Sequence, residues 1–302
     1  MRLRQIRDFV MVVESGSIRA AARKLGVSQP AITKSVRGLE AELHARLVHR
    51  TPQGIVPTLS GRAFFARARV AQAELRKAEE EVSQIDGGGT AGSVAFGAGP
   101  LAATVIVPEA VIRFRNQFPR TRLRIVEGYT HTLLPLVRDE TLDFALAARP
   151  DAKLDPAFAF RPLLRIEYVV VARKGHPLRN VRSLAQLADA EWINLLPPGS
   201  PGGLLDRTFS SAGLPEPAQV IRCDSYNIAV ALLAKSDMLG IMSRRMLTQS
   251  SARDVLQQIA ITEPMPVYML GMFTRKDPPL TQYAGAMAKA VIAVARPLAR
   301  SA

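Results

Sequence analysis

Between residues 86 and 92 the chain reads Asp-Gly-Gly-Gly-Thr-Ala-Gly, and no single hydrophobic core can be drawn across such a stretch. Glycine here supplies backbone freedom and almost no apolar surface, so these residues form a hinge between separately folded parts. Length points the same way, since 302 residues suggest about two domains. Just before the hinge, Leu59 to Ile85 contains no proline and no glycine after Gly61, which predicts one long helix. The expected organisation is a head (1–58), a linker helix (59–86), a hinge (87–92) and a larger body (93–302).

Charge separates these parts further. The chain carries a net charge of +14, and residues 1–62 alone hold eleven Arg and Lys against four Asp and Glu. Half of the excess thus sits in one fifth of the chain, a basic head on a nearly ordinary body, which favours a polyanionic partner for the head.

Within the head, Leu3, Ile6, Phe9, Val10 and Val13 recur at helical spacing. Ser15-Gly16-Ser17 ends that helix, and Ser17 can cap a second one, the alanine-rich Ile18–Leu25. Gly26-Val27-Ser28 then turns the chain, with glycine free to take a positive φ. Ser28 can cap a third helix to about Leu43, with Pro30 in its first turn and Ile32, Val36, Leu39 and Leu43 as its inward stripe. Gln29, Thr33, Lys34 and Arg37 face outward beside small Ala31 and Ser35, as a helix entering the major groove requires. Residues 47–58 read as two short strands about a Gln-Gly turn, a wing that sets Arg50 and Gln53 near phosphates or the minor groove. Solvated helices joined by a glycine turn in an enzyme show the same local pattern.

On the linker helix, Phe64, Ala68, Ala71, Leu75, Ala78, Val82 and Ile85 are spaced alternately four and three apart. That is a heptad seam about three repeats long, suited either to a partner helix or to a surface of the same chain.

In the body, short apolar strands alternate with helical stretches, which predicts an α/β domain with mostly parallel sheets. Among the expected elements are strands at 93–97, 122–127, 144–147, 166–172 and 267–273, and helices at 102–116, 227–236 and 280–295. Such sheets bind ligands in loops at the carboxyl ends of their strands. Those loops hold Gly99-Pro100 leading to Thr104, then Gly128 to Thr132, then Pro197 to Gly203, and Asp224-Ser225-Tyr226 at a helix start. Arg161, Arg165 and Arg222 suggest an anionic ligand.

Several classes lack support. Cys223 is the only cysteine, and His44, His49, His131 and His176 form no metal-ligand or nucleophile pattern, so neither metal, cofactor nor catalytic residue is expected. The apolar run Phe9–Val13 is too short for a signal peptide, and the uncharged stretch 87–108 is broken by glycines and Pro100. The cytoplasm, without membrane insertion, is the expected setting. The alternatives are a solute-binding protein, or an anion-binding enzyme, carrying a basic N-terminal extension.

The residues Ala20-Ala21-Ala22, Leu25, Val27-Ser28-Gln29-Pro30-Ala31-Ile32-Thr33, Leu39-Glu40, Leu43, Leu47-Val48, Arg50, Thr58 and Gly61 resemble, in their spacing, the N-terminal signature of LysR-type transcriptional regulators. Val48 and Pro57 depart from it, standing where the family usually has phenylalanine and leucine. Further on, Phe118-Pro119, Glu127-Gly128, Leu142 to Leu146, His176-Pro177-Leu178, Ala212-Gly213 with Pro215, and Gly240-Ile241 resemble the effector-binding domain of that family.

The resemblance implies a winged helix-turn-helix and linker helix followed by an α/β domain of two lobes, similar to periplasmic binding proteins. The lobes would be about 93–162 with 267–302, and about 163–266, with crossings near Arg161–Leu164 and Pro264–Val267. It implies DNA contacts by Gln29, Pro30, Thr33, Lys34 and Arg37, joined by Arg50 and Gln53 of the wing. Effector contacts fall to Gly99, Thr104, Thr130, His131, Ser200 and Tyr226. Double-stranded DNA with an inverted repeat, a small anionic effector, a second and fourth copy of the chain, and RNA polymerase are the partners it implies.

Overall fold

The computed structural model describes residues 1–52, 54–85, 92–150, 153–194 and 203–300, with backbone only for Arg50 and for several residues near Ile85. Two compact units result, Met1–Thr90 with Leu136–Leu142, and Ala91–Pro135 with Asp143–Ala302.

The first unit opens with α1 (Leu3–Ser15), α2 (Ile18–Leu25) and α3 (Gln29–Glu42). Caps set their starts: the Ser17 hydroxyl accepts from the Ala20 N–H at 3.4 Å, and that of Ser28 from the Ala31 N–H at 3.3 Å. Gly16 and Gly26, at φ of 60° and 65°, close α1 and α2 in the left-handed conformation. Inward residues of the three helices, Phe9, Ala21, Ile32 and Leu39 among them, are fully buried in one core. Burial of Phe9, Ile32 or Leu39 contributes about 1.5–3 kcal/mol each.

Two strands, β1 (Val48–Thr51) and β2 (Gly54–Pro57), pair antiparallel as the wing. The two departures from the family signature, Val48 and Pro57, are cross-strand partners in this hairpin.

The linker helix α4 (Leu59–Ile85) begins at a tight node. The Thr58 hydroxyl accepts from the Gly61 N–H at 2.9 Å and donates to the Arg46 carbonyl at 2.7 Å, while the Thr58 N–H donates to the Leu47 carbonyl at 2.9 Å. A Cβ on Gly61 would lie 1.9 Å from the Leu47 carbonyl oxygen, so only glycine fits there. The seam then divides. Phe64 packs on Phe9 at 5.5 Å and Ala68 is buried in the head's own core, whereas Ala71, Leu75, Ala78 and Val82 are exposed.

The second unit contains β3 (Ser93–Ala98), α5 (Pro100–Val105), α6 (Val107–Gln117), β4 (Arg122–Glu127), α7 (Thr130–Arg138), β5 (Phe144–Ala148) and the long β6 (Phe158–Arg173). It continues with β7 (Trp192–Asn194), α8 (Leu204–Ser211), β8 (Val220–Arg222), α9 (Tyr226–Lys235), β9 (Leu239–Ser243), α10 (Arg244–Gln249) and α11 (Ala252–Val255). It ends with β10 (Leu256–Ile259), β11 (Val267–Arg275) and α12 (Gln282–Arg300). The strand order is β4-β3-β5-β11-β6-β9-β7-β8, with β10 also on β6.

This sheet is mixed, where the sequence suggested mostly parallel strands. β3 pairs parallel with β4 and β5, and β7 with β8 and β9, but β6 and β11 run antiparallel to all their neighbours. The reason is topological: β6 and β11 carry the chain out of one half of the sheet and back into it. β6 pairs with β11 through Glu167 and with β9 from Tyr168 onward. The expected single helix 102–116 is divided into α5 and α6 near Pro108, which lacks the N–H that a continuous helix would need. The half beyond Tyr168 has its own core, in which Trp192 meets Phe209 edge-on at 5.3 Å and its indole N–H donates to the Leu187 carbonyl at 3.0 Å.

The Gly61 node generates a prediction. Gly61→Ala should destabilise the protein by about 1–3 kcal/mol or more, because backbone must move to admit the methyl group. Gly16→Ala, with open space around its Cβ, should lose only the left-handed penalty of about 1–2 kcal/mol. Chemical denaturation of both variants checks the order; equal losses would contradict the close approach.

Candidate DNA interface and ligand cleft

The outer face of α3 gathers the residues singled out for DNA. Gln29, Pro30, Thr33, Lys34 and Arg37, with Gly38, line one shallow open trough, and Gln29, Pro30, Lys34 and Arg37 are exposed. The cap at Ser28 and the buried stripe Ile32, Val36 and Leu39 orient that face. No carboxylate lines the trough, so its potential is set by Lys34 and Arg37. Arg50 lies on β1 opposite Ile55, and Gln53 lies outside the described residues.

Glu40, part of the quoted signature but not among the expected contacts, ties this helix to the wing. Its buried carboxylate accepts the N–H groups of Leu47 at 2.8 Å and Val48 at 3.2 Å, and Arg46 stands 3.9 Å from its other oxygen. Charge-assisted bonds to backbone donors are strong ones, so the angle between α3 and the wing is held by this side chain. The β2 strand is tied as well, through the Ile55 N–H donating to the Gly16 carbonyl at 2.7 Å.

In the second unit, parallel β3, β4 and β5 end together, and backbone bonds join their loops. The Gly99 N–H donates to the Leu146 carbonyl at 2.7 Å, and the Gly128 N–H to that of Ala98 at 3.1 Å. Thr130 opens α7, with its hydroxyl donating to the Ala148 carbonyl at 2.7 Å. The Thr104 hydroxyl turns back to the Pro100 carbonyl at 2.8 Å. His131 is exposed, its ring parallel to that of Tyr129 with centroids 6.3 Å apart. Across the sheet, the Cys223 N–H donates to the Asn194 carbonyl at 2.9 Å, and Tyr226 opens α9 after the capping residue Ser225. The Tyr226 hydroxyl bonds the Ser250 hydroxyl at 3.2 Å. Three of the expected contact hydroxyls are therefore already engaged within the protein. Ser200 lies outside the described residues.

Arg161, read from sequence as part of a basic pocket, sits elsewhere, beside Lys289 and Arg296 along α12. Arg161 lies on the part of β6 that pairs with β11, opposite Met272 and ahead of the change of partners at Tyr168.

Sequence reasoning missed the aromatic side chains near that point. Tyr168 and Tyr268 meet edge-on at 5.8 Å, and the Arg207 guanidinium carbon stands 5.6 Å above the Tyr268 ring. Burial pushes the phenols of Tyr129, Tyr168 and Tyr268 above their ordinary range. The Asp224 and Glu127 carboxylates raise that of Tyr129 further. Nothing in the periodicity marked these tyrosines, since their meeting depends on how two crossing strands register.

Comparison with known proteins follows the same division. Residues 3–62 match the bacterial regulatory helix-turn-helix of the lysR family, and residues 87–296 match the LysR substrate binding domain. The HTH-type transcriptional regulator GalR of Pseudomonas putida is 32% identical over 274 residues, covering 90% of this chain and 68% of GalR. The SDS degradation transcriptional activation protein of a Pseudomonas species is 31% identical over 243 residues, covering 79% and 78% of the two chains. Among solved structures, the LysR family transcriptional regulator CbnR superposes with a TM-score of 0.71 at 20% identity, covering 98% of this chain and 99% of its own. Full-length OxyR of Pseudomonas aeruginosa gives 0.70, also at 20% identity, over 98% and 97% of the two chains. Among the described residues no helix is long and apolar enough to cross a membrane. With both of its parts matched in order over nearly the whole length, this chain belongs to the LysR family of bacterial regulatory proteins.

Proposed function

We propose that the protein is a sequence-specific transcriptional regulator that grips an inverted-repeat operator as a dimer and answers to a small anionic effector. The observation that carries this reading is the trough on α3, where Gln29, Pro30, Thr33, Lys34 and Arg37 share one open face. Amide, hydroxyl and guanidinium groups on one helix face suit base edges, and the cations suit phosphates. Arg50 and Gln53 complete the contact from the wing. Of the solved relatives, CbnR is described in complex with its target DNA.

In this proposal residues 1–58 bind DNA, 59–86 pair two subunits, 87–92 form the hinge and 93–302 receive the effector. Pairing is favoured by the exposed half of the seam, where Leu75 is 41% and Val82 60% accessible. Gly99, Thr104, Thr130, His131, Ser200 and Tyr226 surround the effector. An effector that binds one arrangement of the lobes more tightly supplies the only free energy able to reshape the complex on DNA. Tetramers and contact with RNA polymerase follow the family's habit, and the cytoplasm is the place of action.

The direct test is footprinting and salt-dependent binding on the DNA flanking the gene, against a random duplex. Palindromic protection with markedly tighter binding is expected; equal, steeply salt-sensitive binding to both duplexes would leave only phosphate contact. Arg37→Ala should weaken specific binding by about 1–3 kcal/mol and relax discrimination at one base pair, read by competition against point-substituted operators. Leu75→Glu with Val82→Glu should give a monomer by sedimentation with its fold intact; an undisturbed dimer would place the interface elsewhere.

A further inference from the structure

Along one face of α12, Lys289, Ile292, Ala293 and Arg296 succeed one another at helical spacing, and Arg161 of β6 stands beside them. These five residues line a hollow of about 340 Å³ that includes no carboxylate and none of the residues assigned to the effector. We infer that this hollow is a second binding site and that it takes a linear dicarboxylate, two anionic ends joined by an apolar middle.

The fold brings the three cations together. Arg161 pairs with Met272 across β6 and β11, and directly opposed residues share a face of the sheet. Met272 belongs to the same core as Met287 and Val291 of α12, so Arg161 emerges on the side that α12 covers. On the helix, Met287, Val291, Val294 and Ala295 turn inward and are buried, which leaves Lys289, Ala293 and Arg296 exposed at the border of the hollow.

Charge at this place is unanswered. Arg161, Lys289 and Arg296 have no ion-pair partner among the described residues, whereas Arg113, Arg173 and Arg244 of the same unit reach carboxylates at 2.8, 2.7 and 3.5 Å. Three cations around one hollow repel one another, and an anion seated among them removes that repulsion. Two of them are guanidinium groups, whose paired donors suit a carboxylate. The neighbouring hollow between α6 and α12, which Lys289 also borders, adds only Arg113, whose charge Glu109 already meets.

Spacing gives the ligand its form. Lys289 and Arg296 lie two turns apart on the helix, about 10 Å along its axis. Between them the lining consists of Ile292 and Ala293, so the floor is apolar where the ends are cationic. A compact inorganic anion would answer the charge and leave the floor wet. A fatty acid would cover the floor and answer one end. A dicarboxylate with several methylenes meets both ends and buries its middle.

The experiment is calorimetric titration of the full-length protein at constant ionic strength with suberate, succinate, octanoate and inorganic sulfate. Suberate should bind saturably and at least about tenfold more tightly than the others, which lack its length, its second charge or its apolar middle. Arg161→Gln alone, and Lys289→Gln with Arg296→Gln, should each weaken suberate about tenfold or more. Ala293→Asp, at an exposed position, should abolish its binding, with circular dichroism showing each variant folded. Octanoate or sulfate binding as tightly as suberate, or suberate binding indifferent to all three variants, would overturn the site. No saturable suberate binding, together with weaker random-duplex binding by the Lys289→Gln/Arg296→Gln variant, would give these cations to the phosphate backbone instead. Footprinting judges the regulator reading by itself, so either can fail without the other.

Discussion

The second unit depends on one strand. β6 runs sixteen residues, pairing with β11 along its first part and with β9 and β10 along its last. Both halves of the sheet therefore hang on a single stretch of backbone, and between Val169 and Ala172 the two cores take alternate residues of it. Sheet hydrogen bonds fix spacing along this strand far more strictly than loops would, so residues flanking the change of partners are positioned to within the stiffness of the sheet. Tyr168 is such a residue, and β11 returns beside it carrying Tyr268. The antiparallel pair thus serves as the frame of both halves.

The head relies on backbone–side-chain ties. Glu40 takes two N–H groups from the start of the wing, and Thr58 takes one from the start of α4 while giving its own proton to Arg46. These bonds converge on the segment 46–48, where Leu47 is also buried. Recognition helix, wing and linker helix are consequently referred to one short piece of chain. The cross-strand pairing of Val48 with Pro57 shows two unusual residues sharing a single position in that piece. A smaller side chain opposite a ring that lacks an N–H changes the end of the hairpin on both strands together.

Local signals were legible where local physics decides. Ser17, Ser28, Gly16 and Gly26 announce the helix ends, and the stripe through Ile32, Val36 and Leu39 announces the inner face of α3; the trough residues follow from what remains. Strand existence was similarly clear at β3, β4 and β5, which are short apolar runs. Direction was not, because pairing β6 with β11 joins residues about a hundred positions apart, and no periodicity records it. The tyrosine cluster was hidden for the same reason. Thr104, Thr130 and Tyr226 could be placed near strand ends, but the partners of their hydroxyls, the Pro100 and Ala148 carbonyls and Ser250, are set only by the folded chain. Heptad spacing, too, is blind to ownership: Phe64 and Ala68 obey it while serving the head's own core.

That last division has a mechanical meaning. Because the first two seam positions are locked into the head, α4 cannot roll about its axis without carrying the recognition face with it. The head behaves as a rigid crank on its shaft. One residue of rotation in an α-helix is about 100°, so a single-residue slip of one shaft against another would swing the trough to a different side of the duplex. A subunit pair built on the exposed positions Ala71, Leu75, Ala78 and Val82 would translate small axial turns of α4 into a change of spacing and phase between two recognition helices. The operator's half-site separation would then be a reading of where along α4 the two shafts touch.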